Sequence, residues 1–207
     1  METVSVFCFV LVVVAGCYWY GRSRKRIFER IHRHLKPSDR ILDVGSGDGC
    51  LVSLLRQHGF NCQGLDVVKR FTCAEPILFD GVLIPFQDAT FDVVLCNFVL
   101  HHVASKDHQL ALLQEMRRIS RRLVIIFEDT PENALDWELA DMHAQSDWGS
   151  CRACFHTATE WKRLLSGAGF VLRAEEVMQI PRHEYPFAAT PWFYPLVKTG
   201  FVAHVST

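Results

Sequence analysis

The sequence predicts an α/β fold: a doubly wound, mainly parallel sheet of seven strands with helices between them. Short apolar runs of strand length alternate with amphipathic stretches at helical spacing, which implies βαβ units. The first run, "RILDVG" (40–45), closes on an acid and a glycine-rich turn. The run "FDVVLCNF" (91–98) is apolar almost without a break, as in a central strand covered on both faces.

The chain has 207 residues, 49% of them hydrophobic and 22% charged, enough for one domain with a sizeable core and too few for two ordinary ones. Net charge is −1, without the basic excess of a typical nucleic-acid binder, so no nucleic-acid partner is expected. Basic residues are local, at Arg22–Lys36 and at Arg117, Arg118, Arg121 and Arg122. The eight cysteines show no framework spacing and read as reduced, buried thiols. Cys151 and Cys154, with His156 after them, form half of a metal or redox pattern, but no second CxxC completes it, so no metal is expected.

Taken in order, residues 3–21 carry no charge and are close to the length that crosses a bilayer as a helix. Tyr18, Trp19 and Tyr20 close the run and "RSRKR" follows, which places this end on the cytoplasmic side. The expectation is therefore an N-terminal apolar helix at 1–21 that anchors the protein in a membrane, with the domain facing the cytoplasm. A strand or helix packed on the domain, and a signal or lipoprotein box at "VAGC", are the alternatives. Residues 22–36 predict a basic amphipathic helix, with Ile27, Phe28, Ile31 and Leu35 on one face. The domain proper is expected over 37–207.

"CLVSLLRQHG" predicts a helix stopped by Gly59, and "NCQGLDVV" and "PILFD" the second and third strands. After the fourth strand, "ALLQEMRRIS" is helical and "RLVIIFED" is a fifth strand ending in two acids. Thr157 and Glu160 form a capping-box pattern that opens "EWKRLLSGAG". "FVLRAEEVMQI" and "GFVAHVS" are the final strands. Ligands of such sheets bind outside the carboxyl ends of the strands, so the residues just after each strand are the candidates.

Gly45, Gly47 and Gly49 let a backbone approach a ligand with no Cβ between. A dinucleotide fold needs its third glycine at position 50, which is Cys50. Asp43 would also repel a pyrophosphate and suit a cationic ligand without phosphate. Here the chain resembles the class I S-adenosylmethionine-dependent methyltransferases, and among them the small type 11-like domains. "ILDVGSGDG" matches their first motif, and "FDGVLIPFQDATFDVVLCNFVLHHV" (79–103) resembles their next block.

The resemblance covers about residues 25–207. It implies a Rossmann-like sheet with an antiparallel last strand, and S-adenosylmethionine as cofactor. It implies cofactor-binding roles for Asp43, Gly45, Ser46, Gly47 and Gly49 in the first turn. Asp66, followed by Val67, matches the acid that binds the ribose hydroxyls. Asp80 matches the acid at the adenine amino group, with Gly81 and Val82 beside the ring, and Asn97 and Phe98 match the residues beside the transferable methyl. The chain departs from the pattern twice: thirteen residues (67–79) between Asp66 and Asp80 leave no room for a full helix, and "RRISRR" replaces a glycine turn.

The implied reaction is direct in-line methyl transfer to a small acceptor. His101, His102 and His156 are the candidate bases, each of which can equally be a packing residue. Glu128 and Asp129 can bind a cationic acceptor or metal, or cap the next helix and hydrogen-bond in the pocket wall. The aromatic, proline-rich stretch 182–200 can form a lid or apolar acceptor pocket, or a packed hairpin loop. With residues 3–21 as anchor, the acceptor is expected to be hydrophobic: a lipid, a quinone or another isoprenoid. A non-catalytic S-adenosylmethionine-binding or scaffold protein is the rival reading. The sequence leaves the oligomeric state unknown.

Overall fold

The computed structural model describes residues 25–69, 73–146, 154–178 and 198–205. Residues 3–21 and positions 182–197 of the aromatic stretch lie outside the described residues. Among the described residues, no helix is long and apolar enough to cross a membrane.

The chain falls into two units, Met1–Lys36 and Pro37–Thr207. In the first, helix α1 spans residues 25–32, and Ile27, Phe28 and Ile31 are buried along its apolar stripe. In the second, seven strands form one sheet: β1 (Arg40–Val44), β2 (Asn61–Asp66), β3 (Ile77–Leu78), β4 (Phe91–Asn97), β5 (Ser120–Asp129), β6 (Phe170–Met178) and β7 (Lys198–Val205). The spatial order is β3-β2-β1-β4-β5-β7-β6. β1 pairs in parallel with β2 on one side and β4 on the other, so the order reverses there and opens a crevice at the carboxyl ends. β7 runs antiparallel to both β5 and β6, as the resemblance implied.

Continuous apolar runs become central strands because both faces are covered. Val93, Val94, Leu95 and Cys96 of β4 are fully buried, as are Val124 and Ile125 of β5. Val94, Cys96 and Val124 belong to a core that also takes Leu112, Leu113 and Met116 of α3 (Lys106–Ile119) and Trp161 of α5 (Ala158–Gly167). Helix α2 (Cys50–Gln57) ends at His58, and Gly59 leaves it with φ 85°. Ser105 caps α3 by accepting from the His108 N–H at 3.2 Å, so this helix begins earlier than the expected stretch.

No helix separates β2 from β3 among the described residues, in keeping with the short connection. β3 is shorter than "PILFD", because Asp80 turns the chain to bind the Val82 and Leu83 N–H groups, each at 2.9 Å. The "RRISRR" arginines replace the expected glycine turn with side-chain ties. Arg118 donates to the Ile84 and Phe86 carbonyls and pairs with Glu115 and Asp88. Arg117 donates to the Gly169 carbonyl, Arg121 pairs with Asp92, and Arg122 with Asp39.

The structure adds a helix the periodicity does not show, α4 (Ala134–Ser146). Its apolar residues form no single stripe: Leu139 and Ala140 are buried against Phe155, while Leu135 is exposed. Its start is legible in the cap, for Asn133 Oδ1 accepts from the Asp136 N–H and Asp136 accepts back from Asn133. The reading of all cysteines as reduced thiols is corrected. Cys62 and Cys96 are free and buried, but Cys50 is bonded to Cys73, and Cys154 is also disulfide-bonded. The sequence gives no signal for the Cys50–Cys73 pair, because the two meet only when β2 lies beside β1.

Thr157 and Glu160 form the full capping box at the start of α5. Thr157→Ala is expected to lower unfolding free energy by about 1 kcal/mol, read as a shifted urea midpoint with unchanged slope.

Candidate cofactor site

The first turn is built by backbone bonds that only its neighbours can accept. The Gly45 and Ser46 N–H groups both donate to the Leu65 carbonyl, at 2.7 and 3.1 Å, which swings the chain off β1 toward β2. Gly45, Gly47 and Gly49 all have positive φ, at 70°, 57° and 67°. A Cβ on Gly45 would overlap the side chain of Val99, and one on Gly49 the backbone of Ala74. A Cβ on Gly47 would meet nothing within 4 Å, so there only the backbone angle requires glycine.

Asp66, at the end of β2, is 7% exposed; its Oδ2 accepts from the Gly47 N–H at 2.8 Å and its Oδ1 from Val68 at 3.2 Å. The carboxylate thus ties the middle of the glycine bend to the next strand. Asp43, buried at the end of β1, accepts from Asn97 Nδ2 at 3.3 Å. That contact fixes the amide orientation and leaves Asn97 Oδ1 a buried acceptor with no partner. Ser46 Oγ is a second buried polar atom without a partner, beside Gly64. Asp80 is exposed, and its bonds to the Val82 and Leu83 N–H groups hold its carboxyl below the usual range.

Above these strand ends lies a cavity of about 300 Å³, at the lower end of ligand-site volumes. Gly45, Asp66, Val67, Gly81, Val82 and His102 line it, with Val99 between the glycine bend and His102. Six residues from four separate stretches of sequence, each expected at the site, therefore share one cavity. Phe98 leaves β4 with φ 57°, and Lys198, paired with Asp129, lies 4.6 Å from its ring centre.

The three histidines part company. After β4 comes a single 3-10 turn, Leu100–His102. Glu128, fully buried, accepts from the Val99 and Leu100 N–H groups at 3.0 and 2.7 Å and from His101 Nδ1 at 2.6 Å. His101 is turned inward, with Phe155 stacked 4.9 Å from its ring. Burial alone would depress its pKa, but the Glu128 carboxylate outweighs that and holds it above the usual histidine value. His102 remains on the cavity wall. His156 is buried, which lowers its pKa, and lies edge-on to Trp161 at 4.8 Å. Gln109 Nε2 donates to the Leu100 and Cys154 carbonyls, so its Oε1 accepts, and His156 Nε2 carries the proton given to it at 2.7 Å.

Sequence reasoning missed Val99, whose side chain closes on Gly45, and His108 on the cavity wall. For Glu128 it offered several roles, among them the pocket-wall hydrogen bonding now observed. Among the described residues, no group of three or more His, Cys, Asp or Glu side chains is placed to hold a metal ion.

A glycine bend of positive φ, buried acids at adjacent strand ends and a cavity at the switch point define the class I S-adenosylmethionine-dependent methyltransferases. The chain belongs to the methyltransferase-domain family, whose model matches residues 18–175. Demethylmenaquinone methyltransferase of Mycobacterium tuberculosis is 29% identical over 127 residues, covering 57% of this chain and 50% of that protein. A human protein named probable tRNA methyltransferase 9B is 26% identical over 108 residues, covering 49% and 24%. The crystal structure of an S-adenosylmethionine-dependent methyltransferase from Methanosarcina mazei superimposes with a TM-score of 0.65 at 18% identity, covering 84% and 95%. The chain spans about half the length, or less, of the curated relatives it matches.

S-adenosylmethionine is the cofactor, and the residues present fit it. The bend admits a close ligand, and unpartnered Asn97 Oδ1 can accept from an ammonium. Gly45→Ala is expected to lower S-adenosylmethionine affinity about five- to thirtyfold, because the left-handed backbone alone disfavours a Cβ by about 1–2 kcal/mol. Calorimetric titration reads the loss. The His101–Glu128 pair makes a pH prediction. A folded pKa raised above the unfolded value gives stability that is complete below about pH 6.5 and fades as pH rises through the folded value. Glu128→Gln should therefore lose more stability at pH 6 than at pH 9, read by denaturant unfolding at both.

Proposed function

We propose that this protein transfers a methyl group from S-adenosylmethionine to a small, hydrophobic acceptor held near a membrane. The observation that carries the reading is the shared cavity in which the glycine bend, Asp66 and the Gly81–Val82 edge meet. When bound, S-adenosylmethionine supplies an electrophilic methyl for direct transfer. The protein's part is to position and to exclude water. Asp66 is poised for the ribose hydroxyls, with both oxygens already fixed by backbone donors. Asp80, with Gly81 and Val82, would hold the adenine side, and Asn97 and Phe98, at the β4 end, would serve the methyl-bearing part of the cofactor.

Of the three candidate histidines, His102 is the one we assign to proton acceptance, because it alone of the three lines the cavity. His101 and His156 act by positioning: each is buried with its known partner on a buried side chain. The demethylmenaquinone methyltransferase relative supports an apolar acceptor, and an anchor at residues 3–21, with the domain facing the cytoplasm, would bring such an acceptor within reach. The human tRNA methyltransferase relative makes RNA the competing acceptor. Against it stand the net charge of −1 and the engagement of Arg117, Arg118, Arg121 and Arg122 by carbonyls and carboxylates.

The test is labelled S-adenosylmethionine added with lipid extract, or separately with total RNA, followed by separation of the products. Label in an apolar product, lost in Asp66→Ala, is the expected result. Label in RNA alone overturns the acceptor assignment, and cofactor binding without any product favours a non-catalytic role. His102→Gln should lower turnover by about a hundredfold or more while leaving S-adenosylmethionine affinity near the parent's, if it is the base.

A further inference from the structure

We propose that the Cys50–Cys73 disulfide is a redox clamp on the cofactor site, which fastens the outer side of the glycine bend. The inference rests on the assignment of that bend to S-adenosylmethionine. Cys50 opens α2 directly after Gly49, and Cys73 lies in the connection between Asp66 and β3, with the two Cα atoms 5.2 Å apart. Two further contacts join the same segments. The Cys73 N–H donates to the Asp48 carbonyl at 2.7 Å, and Gly49 packs so closely on Ala74 that no Cβ fits between. The bond therefore fixes an approach the backbone already makes, and it bridges the segments that follow β1 and β2, whose ends supply Gly45 and Asp66–Val67 to the cavity.

Among the described residues, Cys50 and Cys73 are the bonded pair beside the glycine bend. Cys73 is exposed and Cys50 half-buried, so a small disulfide can reach them. The free thiols Cys62 and Cys96 are buried, and burial pushes both far from the thiolate form. The oxidant is a low-molecular-weight disulfide such as glutathione disulfide. The Cys73 thiolate attacks one of its sulfurs, and one glutathione thiolate leaves. Cys50, losing its proton, then attacks the Cys73 sulfur of the mixed disulfide and expels the second glutathione thiolate. Two cysteine thiols are oxidised, one glutathione disulfide is reduced to two thiols, and the two protons end on those thiols.

With the bond present, the Cys73–Ala74 backbone is held as the outer wall of the bend. With it reduced, that backbone is left to contacts such as the Cys73–Asp48 hydrogen bond and the packing of Ala74 on Gly49. If the reduced form holds the binding geometry about one fifth of the time, apparent affinity falls about fivefold.

The full-length protein is equilibrated in buffers of reduced and oxidised glutathione, trapped with a maleimide, mapped by peptide mass spectrometry and titrated with S-adenosylmethionine. The expected result is a linked Cys50–Cys73 peptide in the oxidising buffer, with affinity about fivefold tighter than in the reducing one. Cys73→Ser and Cys50→Ser should bind alike in both buffers, at the reduced parent's affinity; either variant suffices if the other does not fold. Three results overturn the clamp: no linked peptide, equal affinity of the parent in both states, or a serine variant that still responds. No binding in either state, with the linked peptide present, overturns the cofactor assignment and the clamp with it. A missing peptide with normal binding overturns the clamp alone.

Discussion

The site depends on one buried carboxylate. Glu128 sits in the sheet with no solvent exposure, where an unpaired charge would be costly, and three donors surround it. Two are backbone N–H groups of the segment leaving β4, and the third is His101. That segment carries Val99, whose side chain closes against Gly45, and His102, which reaches the cavity. The glycine bend, the cavity wall and the histidine turn are thus held from a single point on the neighbouring strand. On the other side Asp66 does the same for Gly47. Glu128 and Asp66 thus hold backbone N–H groups of the two segments beside the cofactor cavity, which leaves the bend little freedom to follow the ligand.

Charge in this protein is used locally. The arginines at the end of α3 and the start of β5 fasten the loop before β4, the start of β4, the turn before β6 and the residue ahead of β1. They stand where the resemblance implied a glycine turn, and β5 follows α3 with no residue between. Lys198 is used in the same manner, paired with Asp129 across the β5–β7 register and set against Phe98. A cluster that reads as a basic patch along the chain is therefore divided among separate partners once the chain folds.

How much of the site was legible follows from which residues carry a local signal. Gly45, Gly47 and Gly49 announce a bend of positive φ, and acids after apolar runs announce strand tips, so the first turn, Asp66 and Asp80 could be read one by one. The histidines could not be separated, since "HHV" gives His101 and His102 the same surroundings. Glu128 separates them by capturing the first, and it lies 27 residues away. Helix α4 carried its signal in a cap, Asn133 with Asp136, and not in an apolar stripe. The cysteines were misread for a similar reason, because Cys50 and Cys73 have no shared local pattern.

The sequence by itself determined the alternation of strands and helices, the parallel sheet, the position of the glycine bend and the chemistry of a phosphate-free, cationic cofactor. These follow from periodicity and from residues acting within a few positions of themselves. Only the tertiary structure decided which of the adjacent histidines His101 and His102 lines the cavity, which valine closes on Gly45, and that Cys50 meets Cys73. Each of those depends on strands distant in the chain lying side by side, and pairing register brings together side chains that no spacing along the sequence connects.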